Sequence, residues 1–237
     1  RAQRVSGFAS PGSLDWAFAG ADTRMLVARS EVGQRTQQHA NAISAAARSG
    51  ITRIVYTSAP YADTSALILA PEHKATEQAL RESGISFSIL RNNWYTENYL
   101  SSMTQASGSG TYADSTRGGL VASASRIDFA DAAAVVLTTP GHENASYELG
   151  GDHAWDGSEL AAAMAEVLAT PVAYSSLTPE QHAAALTATG LDPDTVAFLV
   201  ALDGNIHDGL LAETTGDLAR LIGRPTTPLS DGLRAGR

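Results

Sequence analysis

Aromatic and amide side chains follow a short apolar stretch in the middle of the chain. Residues 85–90 (ISFSIL) are typical of a strand, and four residues that could contact a ligand come directly after it, namely Arg91, Asn92, Trp94 and Tyr95. In an open sheet of parallel strands, ligands bind beyond the carboxyl ends of the strands. Flat rings and amides at that place suit a flat, polar-edged molecule such as a nicotinamide or a quinone. The same composition also fits aromatic residues that anchor a helix on the core and Asn residues that cap it.

Lys74 is a second candidate, because it is the only lysine among the sixteen lysines and arginines of the chain. It lies in the first turn of a predicted helix, where a cation opposes the helix dipole by roughly a few tenths of a kcal/mol. A ribose hydroxyl as partner would explain this position. The alternative is a solvated lysine paired with Glu77 or Gln78 on the same helical face.

The elements that carry these residues alternate between helix and strand, which indicates an α/β fold with parallel strands joined by helices. The predicted strands are residues 24–28, 51–58 and 85–90, and the predicted helices are residues 13–19, 33–49 and 71–83. The last of these helices is bracketed by Pro71 at its first turn and Gly84 just past its end.

A change in composition predicts a second part of the chain. Residues 101–119 are rich in Ser, Gly and Thr and favour a mobile loop. We therefore expect a first domain over residues 1–110 and a smaller, mostly helical lobe over 111–237, with a strand that could return to the first domain. Further predicted elements are a helix at 128–138, a strand at 145–149, and helices at 158–169, 178–190 and 215–222.

Composition and charge argue against several classes of function. The formal net charge of −9 disfavours binding to nucleic acid and to anionic membranes. Cysteine is absent, which fits a reducing, cytoplasmic location and removes thiolate chemistry. The six histidines show no metal-ligand spacing, so we expect no metal. Asp128 and Asp131 are expected to brace a helix rather than to act as acid and base.

A glycine-rich phosphate-binding turn is missing from the sequence. A parallel sheet that binds a dinucleotide normally opens with a strand, a Gly-rich turn and a helix, and neither GxGxxG nor GxxGxxG occurs here. We expect the chain to begin after this first unit, which spans roughly thirty residues or more.

Four separated segments carry a resemblance to a known family. They are SEVGQRTQQHANAI (30–43), VYTSAPYADTS (55–65), EHKATEQALRESGI (72–85) and LRNNWYTENYL (90–100). In this order they resemble the NmrA-like atypical short-chain dehydrogenases, and most closely the NAD(P)H:quinone oxidoreductases of the QorB type. The resemblance extends over nearly the whole chain from Ser13 onward.

The resemblance implies a Rossmann-like, doubly wound parallel sheet that binds NADPH, or NADH, and transfers hydride directly to a quinone without flavin. Carried over by position, Arg29 and Ser30 would lie near the adenosine side of the cofactor. Thr57 and Ser58 take the place of the active-site hydroxyl of short-chain dehydrogenases. The cofactor-binding set is Arg29, Ser30, Thr57, Ser58, Lys74, Asn92 and Trp94, and the catalytic set is Lys74, Tyr95 and Asn92. A small-molecule quinone is the expected partner, and a homodimer is compatible with the sequence.

One departure from the wider superfamily limits the chemistry. Those enzymes place a Tyr four residues before the active-site Lys, whereas Ala70 stands four residues before Lys74. This argues against alcohol oxidation and suits quinone reduction, in which the proton can come from water or from a hydroxyl such as that of Tyr61 or Tyr95. It also keeps open a non-catalytic NADP(H)-sensing regulator, and the missing Gly-rich turn keeps open a remnant that binds no dinucleotide.

Overall fold

The computed structural model describes residue 7, residues 11–28 and residues 33–237. In chain order its elements are α1 (Pro11–Phe18), β1 (Thr23–Leu26), α2 (Arg35–Arg48), β2 (Arg53–Ser58), α3 (Ala70–Glu82), β3 (Ser86–Asn92), a 3-10 helix (Thr96–Tyr99), α4 (Leu100–Ser109), β4 (Thr111–Asp114), α5 (Arg126–Thr138), β5 (Ala145–Leu149), α6 (Gly157–Leu168), β6 (Ala173–Ser176), α7 (Pro179–Ala188), α8 (Pro193–His207), α9 (Asp217–Ile222) and α10 (Leu229–Ala235).

The chain forms two compact units. The first contains the described residues up to Ser65 together with Leu69–Asn92 and Ala132–Glu148. The second contains Ala66–Ile68, Asn93–Asp131 and Leu149–Arg237. The predicted boundary between residues 110 and 111 differs from this division, in which residues 93–110 belong to the second unit and most of α5 and β5 to the first.

A parallel sheet with flanking helices organises the first unit, which confirms the predicted α/β fold. Its strand order is β1-β2-β3-β5, and both β1 with β2 and β2 with β3 pair in parallel. Strands β2 and β3 are buried along almost their whole length, as expected for a sheet covered on both faces. Alanines of α2 pack with Ile54, Tyr56 and Leu80 in one hydrophobic core.

The second unit contains the clearest correction to the sequence analysis. Residues 101–119 are not a mobile loop, because they form most of α4, all of β4 and the turn that follows. Met103 and Ala106 are buried on α4, and β4 pairs in parallel with β6. A composition rich in Ser, Gly and Thr favours a loop by local propensity alone. In this segment the buried contacts override that propensity.

Other predicted elements agree with the structure to within a few residues. The strand at 145–149 has the predicted bounds, and the Thr178 side chain caps α7 at the start of the predicted helix 178–190. Ser13 lies inside α1 rather than at its start, since α1 begins at Pro11. None of the described helices has the length and apolarity needed to cross a membrane.

Candidate active site

The carboxyl ends of β2 and β3 bring four polar residues to one edge of the sheet of the first unit. In the parallel register Ser58 lies opposite Arg91, so Thr57 and Asn92 lie at the same edge. All four residues are at least nine-tenths buried. Polar groups gathered beyond the ends of parallel strands form the usual ligand-binding edge of such a sheet.

The two neighbouring hydroxyls at the end of β2, those of Thr57 and Ser58, differ in their remaining capacity to form hydrogen bonds. The Thr57 Oγ1 accepts a hydrogen bond from the Ala28 amide at 2.9 Å, which leaves its own hydrogen available to donate. The Ser58 hydroxyl donates its hydrogen to the Glu77 carboxylate at 2.6 Å and can then only accept. Of the two predicted hydroxyls, Thr57 is therefore the better donor toward a ligand.

Arg91 is held by three carboxylates. It donates two hydrogen bonds to Glu77, at 2.9 and 2.6 Å, in the bidentate geometry that matches a guanidinium. Its Nη1 lies 2.7 Å from Glu148 and 3.0 Å from Asp63. The network joins β3 to α3, to β5 and to the loop at residues 59–65 that follows β2. It therefore fixes that loop relative to the strand ends.

Burial and pairing act in opposite directions on these charges. Burial works against the charged guanidinium of Arg91, but its hydrogen bonds to the carboxylates outweigh this and raise its pKa. The hydrogen bond from Arg91 lowers the pKa of Asp63. For Glu148, burial is the larger effect and raises the pKa despite the bond to Arg91. Of the two carboxylates Asp63 and Glu148, Glu148 is therefore the one that is protonated more readily as the pH falls.

Lys74 makes a contact that the sequence did not predict. Its Nζ donates to the backbone carbonyl of Asp63 at 2.8 Å, so it supports the loop at 59–65. The alternative partners are engaged elsewhere, Glu77 with Arg91 and Gln78 with Glu82. A lysine ammonium has three donors, and the loop carbonyl uses one of them.

The buried face of α3 is unusually polar. Its buried positions recur at helical spacing and include His73, Thr76 and Glu77. The His73 Nδ1 lies 2.8 Å from the hydroxyl of Tyr56, and His39 on α2 lies 3.0 Å from the hydroxyl of Thr76. Burial lowers the pKa of His73 to about 3 and that of His39 to about 4, with smaller contributions from neighbouring charges. Both imidazoles are therefore neutral structural groups near neutral pH.

The aromatic segment that follows β3 belongs to the second unit. The Tyr95 ring packs edge-on against Phe129 at 5.2 Å, with the Arg126 guanidinium 5.4 Å from its centre. The Tyr99 ring packs against Trp155 at 5.0 Å. These contacts agree with the anchoring interpretation for both tyrosines.

Asn93 and Trp94 complete this segment. The Asn93 side chain accepts from the Trp94 amide at 2.7 Å and donates to the carbonyl of Leu211 at 3.2 Å. It therefore fixes the turn after β3. The Trp94 side chain is half-buried.

The second unit also buries a cluster of Ser115, His182 and Asp203. The Ser115 hydroxyl and the His182 Nδ1 both lie 2.9 Å from one oxygen of Asp203, which also accepts the Ser115 amide. In a hydrolytic triad the serine and the acid contact different imidazole nitrogens, whereas here both contact Nδ1. The cluster therefore braces the fold and is not a nucleophile with its base.

The structure brings together part of the predicted site. Thr57, Ser58 and Asn92 share one edge, and Lys74 supports the loop that leaves β2. Arg29 and Ser30 lie outside the described residues.

Sequence reasoning missed the partners of Arg91 and the backbone of Tyr61, whose φ is 46°. The position of Arg91 at the end of an apolar strand was the available signal that it needs charged partners. Nothing in the sequence signals the left-handed backbone of Tyr61. Among the described residues, no group of three or more metal-ligating side chains is close enough to hold a metal.

Comparison with known proteins gives a family match over residues 2–140, to the model described as NAD(P)H-binding. Quinone oxidoreductase 2 of Escherichia coli (strain K12) is 42% identical over 231 residues, which cover 97% of this chain and 80% of that protein. The match confirms the resemblance to NmrA-like quinone oxidoreductases.

Solved structures agree with this match. The NADPH complex of the E. coli quinone oxidoreductase QOR2 has a TM-score of 0.93 and 40% identity, covering 98% of this chain and 82% of that chain. The Citrobacter sp. triphenylmethane reductase in complex with NADP(H) has a TM-score of 0.92 and 32% identity, covering 99% of this chain and 83% of that chain.

Proposed function

The chain belongs to the NAD(P)H-binding family, and on this premise we propose that it is an NADPH-dependent quinone reductase that passes hydride directly to a quinone without a flavin. The observation that carries the proposal is the 42% identity to a quinone oxidoreductase, which extends over 97% of the chain. The proposal includes NADPH as the cofactor, with NADH as a possible substitute, a cytoplasmic location and no metal. The sequence allows a homodimer, and the mass in solution would report it.

The residues at the sheet edge suit a nicotinamide. NADPH, when bound, supplies the hydride. We propose that the Thr57 hydroxyl and the Asn92 amide hold its nicotinamide end, since both groups are at the carboxyl ends of the central strands. Ser58 would contribute only as an acceptor, because it donates to Glu77. Lys74 uses one of its three N–H donors for the loop carbonyl, and the other two would bind the ribose. Arg29 and Ser30 would bind the adenosine side of the cofactor.

The quinone side is proposed to involve Trp94 and Tyr95, which follow Asn92 in the chain. Both side chains are half-buried, and indole and phenol rings offer flat apolar faces to a quinone ring. Burying these faces against the substrate would exclude water from the reacting atoms.

A non-catalytic NADP(H)-sensing regulator is the alternative. Two observations favour it: Ala70 stands where related dehydrogenases have a Tyr, and the Ser58 hydroxyl is spent on Glu77. A regulator would bind the cofactor through the same edge without consuming it.

The test is to mix the purified protein with NADPH and a water-soluble benzoquinone and to follow the loss of reduced nicotinamide and the appearance of hydroquinone. We expect equal amounts of the two and no flavin absorbance in the protein. NADPH labelled with deuterium at the transferred position should slow turnover if hydride transfer limits the rate.

The alternatives predict different results in the same assay. Calorimetric binding of NADPH without quinone-dependent oxidation would support the regulator and contradict the enzyme. A lack of NADPH binding would contradict both. Copurified flavin that is reduced before the quinone would contradict direct transfer.

A further inference from the structure

The backbone around the proposed quinone residues Trp94 and Tyr95 is tied to the segment that precedes α5. Thr96, which follows them, is 1% exposed. Its amide donates to the carbonyl of Ala124 at 2.9 Å, and the Ala124 amide donates to the carbonyl of Trp94 at 3.1 Å. These two hydrogen bonds lie on either side of Tyr95. A shift of Thr96 is therefore passed on to both aromatic residues.

The side chain of Thr96 is held as firmly as its backbone. Its hydroxyl lies 2.9 Å from the hydroxyl of Ser123, which also accepts a hydrogen bond from the Trp155 indole at 3.0 Å. A serine hydroxyl has one hydrogen and two lone pairs, so Ser123 can bond both neighbours at once. Thr96 thus has little freedom to move away from a group that presses on its methyl carbon.

Gly232, in the middle of α10, is the residue that faces this methyl carbon. A Cβ added at position 232 would lie 3.0 Å from the Thr96 Cγ2, whereas carbon atoms pack best at about 3.5–4.0 Å. Gly232 is buried on the helix. Glycine is among the poorest residues for a helix interior. The close approach of α10 to Thr96 gives a physical reason for its presence there.

Helix α10 is itself anchored on this side of the unit. The fully buried Asp128 side chain accepts hydrogen bonds from the amide and the hydroxyl of Thr227, at 2.8 and 3.0 Å, two residues before the helix begins. Asp128 also pairs with Arg224 at 2.7 Å. Leu233, next to Gly232, is fully buried. The helix and Thr96 are therefore both fixed where they meet.

We propose that Gly232 is a positioning residue for the proposed quinone reduction, because its missing side chain lets α10 seat Thr96 at the depth that places Trp94 and Tyr95 against the quinone ring. This inference rests on the proposed function. The effect of Gly232 passes through Thr96 and the backbone before it. All of these residues belong to the second unit, so we expect an effect on the quinone and none on NADPH binding.

Gly232→Ala tests this role directly. A misplacement of 1 Å can cost about 100-fold in rate, and the added Cβ requires a shift of a few tenths of an ångström. We therefore expect kcat/KM for a water-soluble benzoquinone to fall by roughly 4–10-fold, with an unchanged Kd for NADPH by calorimetry. Gly204→Ala, on α8 of the same unit, adds the same methyl group in open space and should keep the wild-type kinetics.

A second substitution at Thr96 separates positioning from a general loss of stability. Thr96→Ser removes the Cγ2 that the new Cβ would meet and keeps the hydroxyl that bonds Ser123. Gly232→Ala combined with Thr96→Ser should therefore return kcat/KM to within about twofold of Thr96→Ser alone, as expected for two coupled residues. A loss that persists in the double variant would overturn the proposal, because the effect would not pass through Thr96.

Thr96→Val gives an independent measurement, which also serves if Gly232→Ala does not fold. It keeps the branched shape of the side chain and removes the hydroxyl that bonds Ser123. We expect a lower kcat/KM for the quinone and an unchanged Kd for NADPH. With an active wild type, wild-type quinone kinetics in either variant, or an equal loss of NADPH affinity, would overturn the role of Gly232 alone. A wild type that does not oxidise NADPH with quinones would overturn the proposed function, and this inference with it.

Discussion

At the level of single residues, the pair His39 and His73 shows how a polar side chain is kept neutral inside this protein. Both rings pack near Tyr56, and both have hydroxyl partners that can bond a neutral imidazole. Burial is the main cause of their lowered pKa, and the charge of Arg35 adds to it. Neither ring is suited to exchange protons during turnover.

A loss of stability in mild acid follows from these two residues. Their folded-state pKa values, about 4 for His39 and about 3 for His73, lie below the ordinary value of 6.5. Below pH 6.5 the unfolded chain therefore binds protons that the folded protein does not. The stabilising difference is complete above pH 6.5 and is lost as the pH falls, by up to about 1.4 kcal/mol per pH unit for each histidine.

Urea unfolding at a series of pH values measures this effect. The His39→Asn variant should show a shallower fall in unfolding free energy below pH 6.5 than the wild type. His153→Gln, which changes an exposed histidine, should retain the wild-type slope. An unfolding free energy that stays constant between pH 6.5 and about 4 would contradict the prediction.

Trp94 offers a second test at this scale, since the proposed function puts it on the quinone side. Trp94→Ala should lower kcat/KM for the quinone by about 10-fold or more, because a ring that buries substrate surface contributes roughly 1.5–3 kcal/mol. The Kd for NADPH should change little. Trp16→Ala, which truncates a mostly exposed tryptophan, is the control. Equal losses in NADPH and quinone affinity would place Trp94 outside the quinone site.

At the level of elements, the end of α8 is packed so closely that only glycine fits beside it. A Cβ added to Gly119 would collide with the backbone of Ile206 and His207. Gly204, on the same helix, has open space around its Cα. Gly119 is thus needed for the close approach to α8, whereas no neighbouring atom requires a glycine at position 204.

Alanine substitutions should separate these two roles. We expect Gly119→Ala to lower the free energy of unfolding by about 1–3 kcal/mol, as overpacking does. Gly204→Ala should raise it by up to about 1 kcal/mol, because alanine favours a helix interior. Chemical denaturation measures both. If Gly119→Ala left the free energy of unfolding unchanged, the loop that carries Gly119 and α8 would be able to separate without an energetic cost.

The elements that local signals could predict are those whose pattern and packing agree. Strands β2 and β3 each contain a short apolar run, and α3 has proline in its first turn and glycine after its end, so each was found. Helix α4 was missed because its Ser and Gly residues favour a loop, while the burial of Met103 and Ala106 cannot be read from local composition. The division after Asn92 was also missed, since no change of composition marks it.

The candidate site was predictable only in part for the same reason. Thr57 and Asn92 were correctly located at strand ends, because such ends can be inferred from the sequence. The Lys74 contact to the Asp63 carbonyl and the carboxylates around Arg91 join residues from separate elements, and no local pattern encodes such pairings. The φ of Tyr61 was equally hidden, because a tyrosine does not signal a left-handed turn as a glycine does.

For the whole molecule, cofactor binding should appear as a gain in stability. A ligand that binds only the folded state stabilises it by about 2.7 kcal/mol at 100 times its Kd. For a chain of this size, 1 kcal/mol corresponds to roughly 2–4 °C in Tm. NADPH should therefore raise the Tm by roughly 5–10 °C at that concentration.

The controls for this thermal shift follow from the charge of the protein. With a formal net charge of −9, the surface offers little general attraction to anions, so inorganic triphosphate should leave the Tm unchanged. An equal shift with triphosphate would indicate nonspecific anion binding, and no shift with NADPH would contradict dinucleotide binding. Because an enzyme and a sensor would both be stabilised, adding quinone separates them: only an enzyme consumes the NADPH, and its Tm then moves to that of the NADP⁺ complex.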